Sequence, residues 1–358
     1  FYNYYSTDGF SVRPNSNKRF ITPISRSTFT QNLKLDINEK TNIDGSFRYN
    51  QERIKSIIAV ANNGTTIYSN GNEKNNDVNG SIVLNHQFNT RLKTKLNTYY
   101  TQFESSQDLL TLSGSPYNDF FKQIFKRVEN QTEWKLNKSI NSTFGFGWVG
   151  ELVNSSRYDN VDSAKNNTIK YLYNQWEWNN GKKIVANAGF RFDENKNFAS
   201  ALSPKLSLLY KLNSKIRLKL SAGRGFKAPD FRQLYLNFTN SAAGGYSVFG
   251  AVEAQKVINK LNELGQIGNL YSNYYQLKKL EPEYATGIHF SAEWEPNYNN
   301  ELQIQFFRND IKNLIDVQQI GTYKTGAQIY SYLNIKNAFT TGIEIEAKQK
   351  INDYFSIS

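Results

Sequence analysis

Few side chains in this sequence have the type and spacing that catalysis, metal binding or phosphate binding requires. Residues 223–229, GRGFKAP, combine glycines with the cations Arg224 and Lys227, but no helical phosphate-binding pattern follows them, which excludes a dinucleotide or P-loop motif. The two histidines, His86 and His289, are distant in sequence, and neither has a visible second metal ligand nearby. The chain has no cysteine, and its acidic residues show no pair singled out by spacing. We therefore expect no enzyme activity, no bound metal ion and no cofactor.

Composition limits the classes of protein that remain. The chain has 358 residues, of which 39% are hydrophobic and 15% aromatic, and its net charge is +12. Lysine and arginine are scattered rather than clustered, and no helix-turn-helix, RNP-like or zinc-finger pattern occurs, so we expect no nucleic-acid partner. No apolar run approaches the roughly 18 residues of a membrane helix. Residue 1 is Phe rather than Met, so we expect the chain to be part of a longer protein.

A short turn that contains Asn recurs along the chain. It occurs in the segments 33–47, 86–96, 134–144, 176–190, 210–220, 294–306 and 349–358. Asn favours such turns because it tolerates positive φ and bonds to its own backbone. Longer polar stretches, such as 62–77, 105–118 and 154–167, lie between these turns. Short and long connections therefore alternate, as the periplasmic turns and extracellular loops of outer-membrane barrels do.

The segments between the turns alternate between apolar and polar residues. In 216–222, Ile216, Leu218 and Leu220 fall on one face, while Arg217 and Lys219 fall on the other. The segments 33–37, 302–306 and 343–348 show the same period, whereas 168–179 does not alternate cleanly. Charges at every second position cannot face a packed core, because unpaired buried charge is costly. We therefore expect the apolar face to meet lipid and the charged face to meet a wet lumen.

Aromatic residues flank the short turns. They are Phe88, Trp134, Trp176, Trp178, Tyr210, Trp294, Tyr298 and Tyr354. Amphipathic rings settle at membrane interfaces, so this set is typical of an aromatic girdle. The sequence predicts an all-β fold, a transmembrane antiparallel β-barrel with short periplasmic turns and long extracellular loops.

One long connection, 226–283, interrupts the alternation of short and long connections. Within it, residues 251–265 change to a helical period, with Val257, Leu261 and Leu264 on one stripe and Gly265 at the position of a C-cap. We expect one short helix in a long extracellular loop. The helix either packs the loop onto the barrel rim, or helps the loop to close over a ligand or to dock a surface partner.

Four ordered segments resemble a known family. They are LSPKLSLLYKLNSKIRLKLSAGRGFKAPDFRQLY (202–235), LKKLEPEYATGIHFSAEW (277–294), FFRNDIKNLID (306–316) and YLNIKNAFTTGIEIEAK (332–348). They are similar to barrel strands of TonB-dependent outer-membrane receptors. The resemblance implies a barrel of about 22 strands with a plugged lumen. We count about 14–16 strands, so residues 1–358 are expected to form a partial barrel domain that lacks the plug and the C-terminal strands.

The resemblance also implies a function. Such receptors, in the outer membrane of Gram-negative cells, import scarce metal chelates with energy relayed by the TonB–ExbB–ExbD complex through the plug domain. Outer-membrane lipid and the chelate are the implied partners, with a surface lipoprotein as a further one. The Asn, Lys and Tyr bias and the insert AAGGYSVFGAVEAQ (242–255) resemble receptors of the Bacteroidetes.

The choice of chelate stays open between three classes. Haem receptors of this family carry an FRAP-like and an NPNL-like segment with a histidine between them. FKAP at 226–229 resembles the first, but no NPNL-like segment occurs and 230–283 contains no histidine. A siderophore-iron or cobalamin-like chelate is therefore favoured, with haem on a tyrosine ligand as the alternative. Outside this kind of receptor, a passive porin-like barrel and a soluble carbohydrate-binding or adhesin module also stay open.

Ligand contacts are expected from the upper lumen wall and the external loops. Cationic groups suit anionic chelates, and aromatic faces suit catecholate or macrocycle rings. The expected ligand-binding residues are Arg224, Phe226, Lys227, Tyr235, Tyr246, Tyr274 and Tyr275.

Overall fold

The structure, a computed structural model, describes residues 1–11, 22–62, 65–110, 116–158, 164–240, 245–335, 337–352 and 354–357. Its strands, in chain order, are β1 (Tyr2–Thr7), β2 (Ile24–Asn38), β3 (Thr41–Asn62), β4 (Thr65–Gln87), β5 (Leu92–Leu110), β6 (Pro116–Lys135), β7 (Ile140–Ser155), β8 (Lys165–Asn179), β9 (Ile184–Asn195), β10 (Ala201–Lys211), β11 (Ile216–Lys227), β12 (Asn237–Asn240), β13 (Tyr246–Phe249), β14 (Ile267–Leu270), β15 (Glu283–Asn297), β16 (Asn300–Lys312), β17 (Ile315–Tyr323), β18 (Gln328–Asn334), β19 (Asn337–Lys350) and β20 (Ser356–Ile357). The helices are α1 (Phe231–Tyr235) and α2 (Ala254–Glu263), and a 3₁₀ turn covers Tyr274–Gln276.

Fifteen of these strands form one antiparallel sheet in the order β1 to β11, β15, β16, β19, β20. Each strand pairs with its neighbour in the chain except at two places, where β11 pairs with β15 and β16 pairs with β19. The all-β antiparallel prediction is therefore confirmed, and the sheet size agrees with the count of about 14–16 strands. Strands β12–β14, between β11 and β15, and strands β17 and β18, between β16 and β19, do not belong to this sheet. They lie in two inserted segments.

Each of the short turns predicted from the sequence is present and is held by its Asn. The Oδ1 atom of Asn213 accepts hydrogen bonds from the backbone N–H groups of Lys215 (2.8 Å) and Ile216 (2.9 Å). The same type of bond occurs at Asn38, Asn89, Asn137, Asn180, Asn297 and Asn352. The side chain replaces a backbone acceptor inside the turn, so it fixes where each hairpin begins and thereby the register of its strands.

The polar stretches predicted as long loops are largely strand instead. β3 and β4 stay paired out to Asn62 and Thr65, and β5 and β6 out to Leu110 and Pro116. β3 has 22 residues and so spans about 70 Å, whereas about 10 residues cross a bilayer. Strands that continue beyond the membrane need only backbone pairing, so they lose the apolar alternation that marks a strand in the sequence. Of the stretch 154–167, the ends belong to β7 and β8, and 159–163 lies outside the described residues.

The two faces of the large sheet differ as the alternation predicts. Leu220 is 46% exposed and lies beside Phe290, which is followed across the sheet by Phe306 and Ile343. We call this apolar face the outer face. The inner face carries ion pairs, such as Arg217 with Glu293 at 2.8 Å between Nε and Oε2.

The two inserted segments fold together into a second sheet, which the sequence did not predict. Its order is β12, β13, β18, β17, β14, with β13 parallel to β18. Its buried core comprises Phe249, Ala254, Ile258, Ile320, Ile329 and Leu333. We call this unit, residues 228–282 and 313–335, the cap. The prediction that 226–283 is a long loop with one helix is therefore corrected, because β12, β13 and β14 complete their hydrogen bonding through β17 and β18 of the later segment.

The helix predicted in 251–265 is confirmed as α2, and Gly265 ends it with a φ of +64°. The sequence reading missed α1, although its N-terminus has a capping box. The Asp230 side chain accepts a hydrogen bond from the Gln233 backbone N–H (2.7 Å), and the Gln233 side chain accepts one from the Asp230 N–H (3.0 Å). The pattern Asp-x-x-Gln after Pro229 is the signal that would have revealed it.

Two tyrosines of β8 pack against glycines on the inner face of β7. A Cβ atom at Gly147 would lie 2.5 Å from the ring and hydroxyl of Tyr171, and Gly145 has the same relation to Tyr173. The Tyr171 hydroxyl donates to Glu129 (2.5 Å), and the Arg191 guanidinium lies 3.8 Å from the centre of its ring. The glycines therefore create the space in which a buried aromatic and ionic layer forms.

Replacement of Gly147 by Ala should destabilise the sheet. The added methyl group must displace the Tyr171 ring, and overpacking of this kind costs about 1–3 kcal/mol. Thermal unfolding in detergent, followed by heat-modifiable mobility on gels, measures the loss. Gly225→Ala is the matched control, since a Cβ there meets nothing within 4 Å. Equal unfolding midpoints for the two variants would contradict this interpretation.

Candidate functional site

The cap rests on the inner face of the large sheet, at the end opposite the short Asn turns. Phe231 of α1 packs against Val153 of β7 and against Tyr158. Val153 lies on the same strand face as Gly147, so this contact is on the inner side. Leu234 of α1 belongs to a second cluster, which includes Phe198 in the connection between β9 and β10. Together these contacts place the cap over the polar inner face of the large sheet.

A buried carboxylate ties the second inserted segment to the wall. Glu283, at the start of β15, is 9% exposed, and its Oε1 accepts a hydrogen bond from the Ile315 backbone N–H at 2.6 Å. Its Oε2 lies 3.1 Å from the Lys227 ammonium of β11. Asn334 adds a second link, since its Nδ2 donates to the backbone oxygens of Asn313 (2.7 Å) and Glu281 (2.9 Å). Both segments of the cap are therefore fixed at one point of the wall.

Phenols are buried where the cap meets the wall. Burial, and secondarily the negative charge of Asp230, raises the pKa of Tyr158 to about 12. Burial also raises the pKa of Tyr332 and of Tyr235. Because each of these folded-state pKa values is raised, the neutral phenols contribute stability that is complete below about pH 10 and is lost as the pH rises above it, towards about 12 for Tyr158. These groups therefore stay neutral at physiological pH and can donate hydrogen bonds.

Of the predicted ligand-binding residues, Lys227 and Tyr235 lie at this junction. Lys227 faces inwards and pairs with Glu283, as described above. The Tyr235 ring lies 6.4 Å from the ring of Tyr158, and the Lys165 ammonium lies 5.0 Å from its centre. The structure brings these two predicted residues to the base of the cap.

Arg224 and Phe226 lie elsewhere, on the outer face. They follow Leu218 and Leu220 at the same alternation in β11, and β11 pairs with β15 without a register shift. The Arg224 guanidinium lies 4.4 Å from the centre of the Tyr284 ring, and the Phe226 ring lies 6.5 Å from that ring. The expectation that these two residues line the upper lumen wall is therefore corrected. Gly223 and Gly225 have no side chains, so the sequence shows no apolar and polar alternation around Arg224 and Phe226. The cross-strand register of β11 with β15 shows which way these two residues face.

The other three predicted residues belong to the cap itself. The Tyr246 ring lies 6.4 Å from that of Tyr330, and the Tyr274 hydroxyl donates to Asn259 (3.3 Å). Tyr275 is 75% exposed, and its ring lies 5.2 Å from that of Tyr274. The structure therefore joins Tyr274 and Tyr275 as one aromatic pair and keeps Tyr246 apart.

Arg217 and Lys219 lie on a charged inner face, as the sequence predicts, but the sequence does not identify the partners of these cations. Glu293 accepts bonds from both Arg217 and Lys219 of β11, and Asp193 accepts from Arg191. Paired charges of this kind are tolerated on a polar wall, whereas isolated ones are not. Alternation alone identifies the inward positions, but the pairing of Glu293 with its cations requires the β11–β15 register across the cap segment.

Within the described parts of the chain, no cluster of three or more His, Asp or Glu residues could hold a metal ion. Among the described residues, no helix is long and apolar enough to cross a membrane.

A family model described as "TonB dependent receptor-like, beta-barrel" matches residues 3–358. The chain belongs to the TonB-dependent receptor family. It is thus an outer-membrane β-barrel protein and not an enzyme, as the sequence predicts.

Proteins with known activities share part of this receptor's sequence. The heme/hemopexin utilization protein C of Haemophilus influenzae is 21% identical over 58% of this chain and 30% of its own length. The vitamin B12 transporter BtuB of Photobacterium profundum is 25% identical over 29% of this chain and 17% of its own length. The soluble carbohydrate-binding or adhesin interpretation is wrong, because the family is one of outer-membrane barrels.

Solved structures share the fold. The siderophore receptor PirA from Pseudomonas aeruginosa superposes with a TM-score of 0.60 at 16% identity, covering 95% of this chain and 62% of that one. The hemophore receptor HasR of Serratia marcescens, in complex with its hemophore HasA and heme, gives a TM-score of 0.64 at 12% identity over 93% of this chain and 53% of that one. This TonB-dependent receptor chain therefore spans less than two thirds of each of these proteins.

Loss of the Glu283 carboxylate should loosen the cap and leave the barrel wall intact. Glu283→Ala leaves the Ile315 N–H without its acceptor and Lys227 without its partner, which costs about 1–3 kcal/mol. Hydrogen exchange of 315–334 should therefore speed up about ten-fold or more, while exchange in β3–β6 stays unchanged. Glu263→Ala, at an exposed acid at the end of α2, is the control. Unchanged exchange of 315–334 in Glu283→Ala would contradict the anchoring role.

Proposed function

We propose that this chain forms barrel wall and cap of a receptor for the TonB-dependent uptake of a scarce metal chelate, a siderophore-iron or cobalamin-like compound. The observation that carries the proposal is the folded cap that rests on the inner face of the wall at the extracellular end. A cap of this kind closes the path into the lumen to a solute that it does not bind. This favours a selective receptor over a passive porin-like barrel.

The ligand is expected to meet the cap before it meets the wall. Tyr275 is exposed and Tyr274 is half-buried, and this pair offers aromatic faces, while Lys227 and Tyr235 lie at the base of the cap. Aromatic faces suit catecholate and macrocycle rings, and cations near them suit anionic chelates. With Arg224 and Phe226 on the outer face, the cap tyrosines carry the larger share of the proposed contacts.

Haem is the second candidate. Its support is that two of the similar proteins are named for heme, the utilization protein of Haemophilus influenzae and the receptor HasR. A tyrosine oxygen can ligate haem iron, and the proposed ligand for it is Tyr275, which is exposed. Two partners remain proposals: the energy-coupling complex TonB–ExbB–ExbD, which would act through a plug domain, and a surface lipoprotein. An origin in the Bacteroidetes is also a proposal.

Growth and uptake assays test the proposal with the full-length receptor. A strain that lacks the gene should fail to grow on one metal-chelate source among siderophore-iron, cobalamin and haem, and should grow normally on the others. Restored growth must depend on TonB. Growth that is restored without TonB would instead support a passive pore.

Tyr275→Ala in the full-length receptor should weaken binding of that chelate about five-fold, because an aromatic contact of this kind is worth about 0.5–1.5 kcal/mol. Tyr298→Ala is the matched control, since Tyr298 is 91% exposed at a short turn at the opposite end of the barrel. Equilibrium binding to the purified receptor is the measurement. If both variants bind equally well, the cap tyrosines do not contact the ligand.

A further inference from the structure

A groove on the outer face has features that the uptake of a ligand does not use. It crosses β2 to β7, and its lining is almost wholly apolar. The outward side chains along it are Leu33, Phe47, Ile82, Val128 and Trp148. A membrane barrel is expected to be apolar here, but a smooth wall of large side chains would serve that purpose as well. The groove therefore needs a separate explanation.

Two glycines form the floor of the groove. A Cβ atom at Gly45 would meet only the Leu33 Cβ at 3.7 Å, and one at Gly80 only the Ser46 backbone oxygen at 3.9 Å. Both are ordinary contact distances, and neither glycine has a positive φ. Unlike Gly147, these positions would accept a side chain. What glycine provides here is open space on the surface, beside the side chains of Leu33, Phe47 and Ile82.

A lysine lies at the upper end of this groove. The Lys126 ammonium is 5.9 Å from the centre of the Tyr100 ring, and in the described part of the chain no carboxylate pairs with it. Above it the outer face becomes polar, because the Tyr100 hydroxyl donates to Gln102 (2.7 Å) and Gln102 donates to Glu104 (3.0 Å). Lys126 therefore marks the boundary between the apolar band and water.

The height of Lys126 agrees with that boundary. In β6, Trp134 lies beside a short turn, in the lower girdle, and Lys126 lies eight residues further up the strand. Eight residues span about 26 Å of strand, which a tilt of about 40° reduces to about 20 Å of height, a few ångströms below the top of an apolar band roughly 25 Å tall. The long lysine side chain covers the remaining distance to the headgroups. Since the short turns are periplasmic, Lys126 is at the headgroup level of the outer leaflet.

We propose that this groove binds one phosphorylated, multiply acylated glycolipid of the outer leaflet. An acyl chain lies over Gly45 and Gly80 between the side chains of Phe47 and Ile82, and a headgroup phosphate pairs with Lys126. The occupant follows from charge complementarity: an uncompensated cation stands at headgroup level directly above an apolar channel. A lipid of the periplasmic leaflet would present its headgroup at the other end, beside Trp134.

Arg224 provides a matched control. It is also a cation over a tyrosine on the outer face, with its guanidinium 4.4 Å from the Tyr284 ring centre, but β11 lies outside the strands that form the groove. Arg224→Gln therefore removes one positive charge from the same level of the barrel and leaves the groove intact.

Native mass spectrometry of the full-length, delipidated receptor titrated with lipid A tests the proposal. One lipid should bind to the wild type. Lys126→Gln should weaken binding about five-fold, Lys126→Arg should preserve it, and Gly80→Leu, which fills the floor, should weaken it at least as much. Arg224→Gln should bind like the wild type. Heat-modifiable mobility on gels shows whether each variant is folded. If Gly80→Leu does not fold, the comparison of Lys126→Gln with Lys126→Arg tests the proposal.

Three results would overturn the proposal. Enzymatically dephosphorylated lipid A that binds as tightly as the phosphorylated form would remove the phosphate contact. Equal losses in Lys126→Gln and Arg224→Gln would indicate unspecific attraction to the cationic rim. Preferential binding of phosphatidylglycerol would exclude the glycolipid as occupant.

Discussion

Backbone hydrogen bonding is the constraint on which this structure depends. Inside a bilayer no water is available to satisfy N–H and C=O groups, so each strand must pair along its whole length with its neighbours. The unbroken ladders from β2 to β11 meet this requirement. The Asn side chain in each short turn supports it, because it sets the register at the first pair of each hairpin, and a shift of one residue would turn every apolar side chain inwards.

Once the backbone is paired, the side chains separate into two environments. The outer face holds apolar groups, and the inner face holds charges that are paired across strands, as in the layer of Glu129, Tyr171 and Arg191. Glycine has opposite uses on the two faces. On the inner face Gly147 gives room to a tyrosine ring, whereas on the outer face Gly45 and Gly80 leave a groove that no side chain of the described residues fills.

The cap is the one part of the described molecule with a conventional apolar core. Its strands come from two segments that are separated in the chain by β15 and β16, so neither segment can bury its apolar residues alone. The paired strands β15 and β16 therefore position both halves, and Glu283 connects them to the wall. The cap is thus a folded unit on the inner face that is built from two segments of the same chain that forms the wall.

The sequence by itself determined the strands inside the membrane, their short turns and the two faces, because period-two alternation and Asn turns are local signals. It also determined the family, from the ordered strands 202–235 and 277–294, and the helix α2 from its period. Only the tertiary structure decided that β3–β6 continue far beyond the membrane, that 315–334 completes the cap, and that Arg224 faces outwards while Lys227 faces inwards. These features depend on pairing between segments that are distant in the chain, and backbone hydrogen bonds and cross-strand register leave no pattern in the residues of either segment alone.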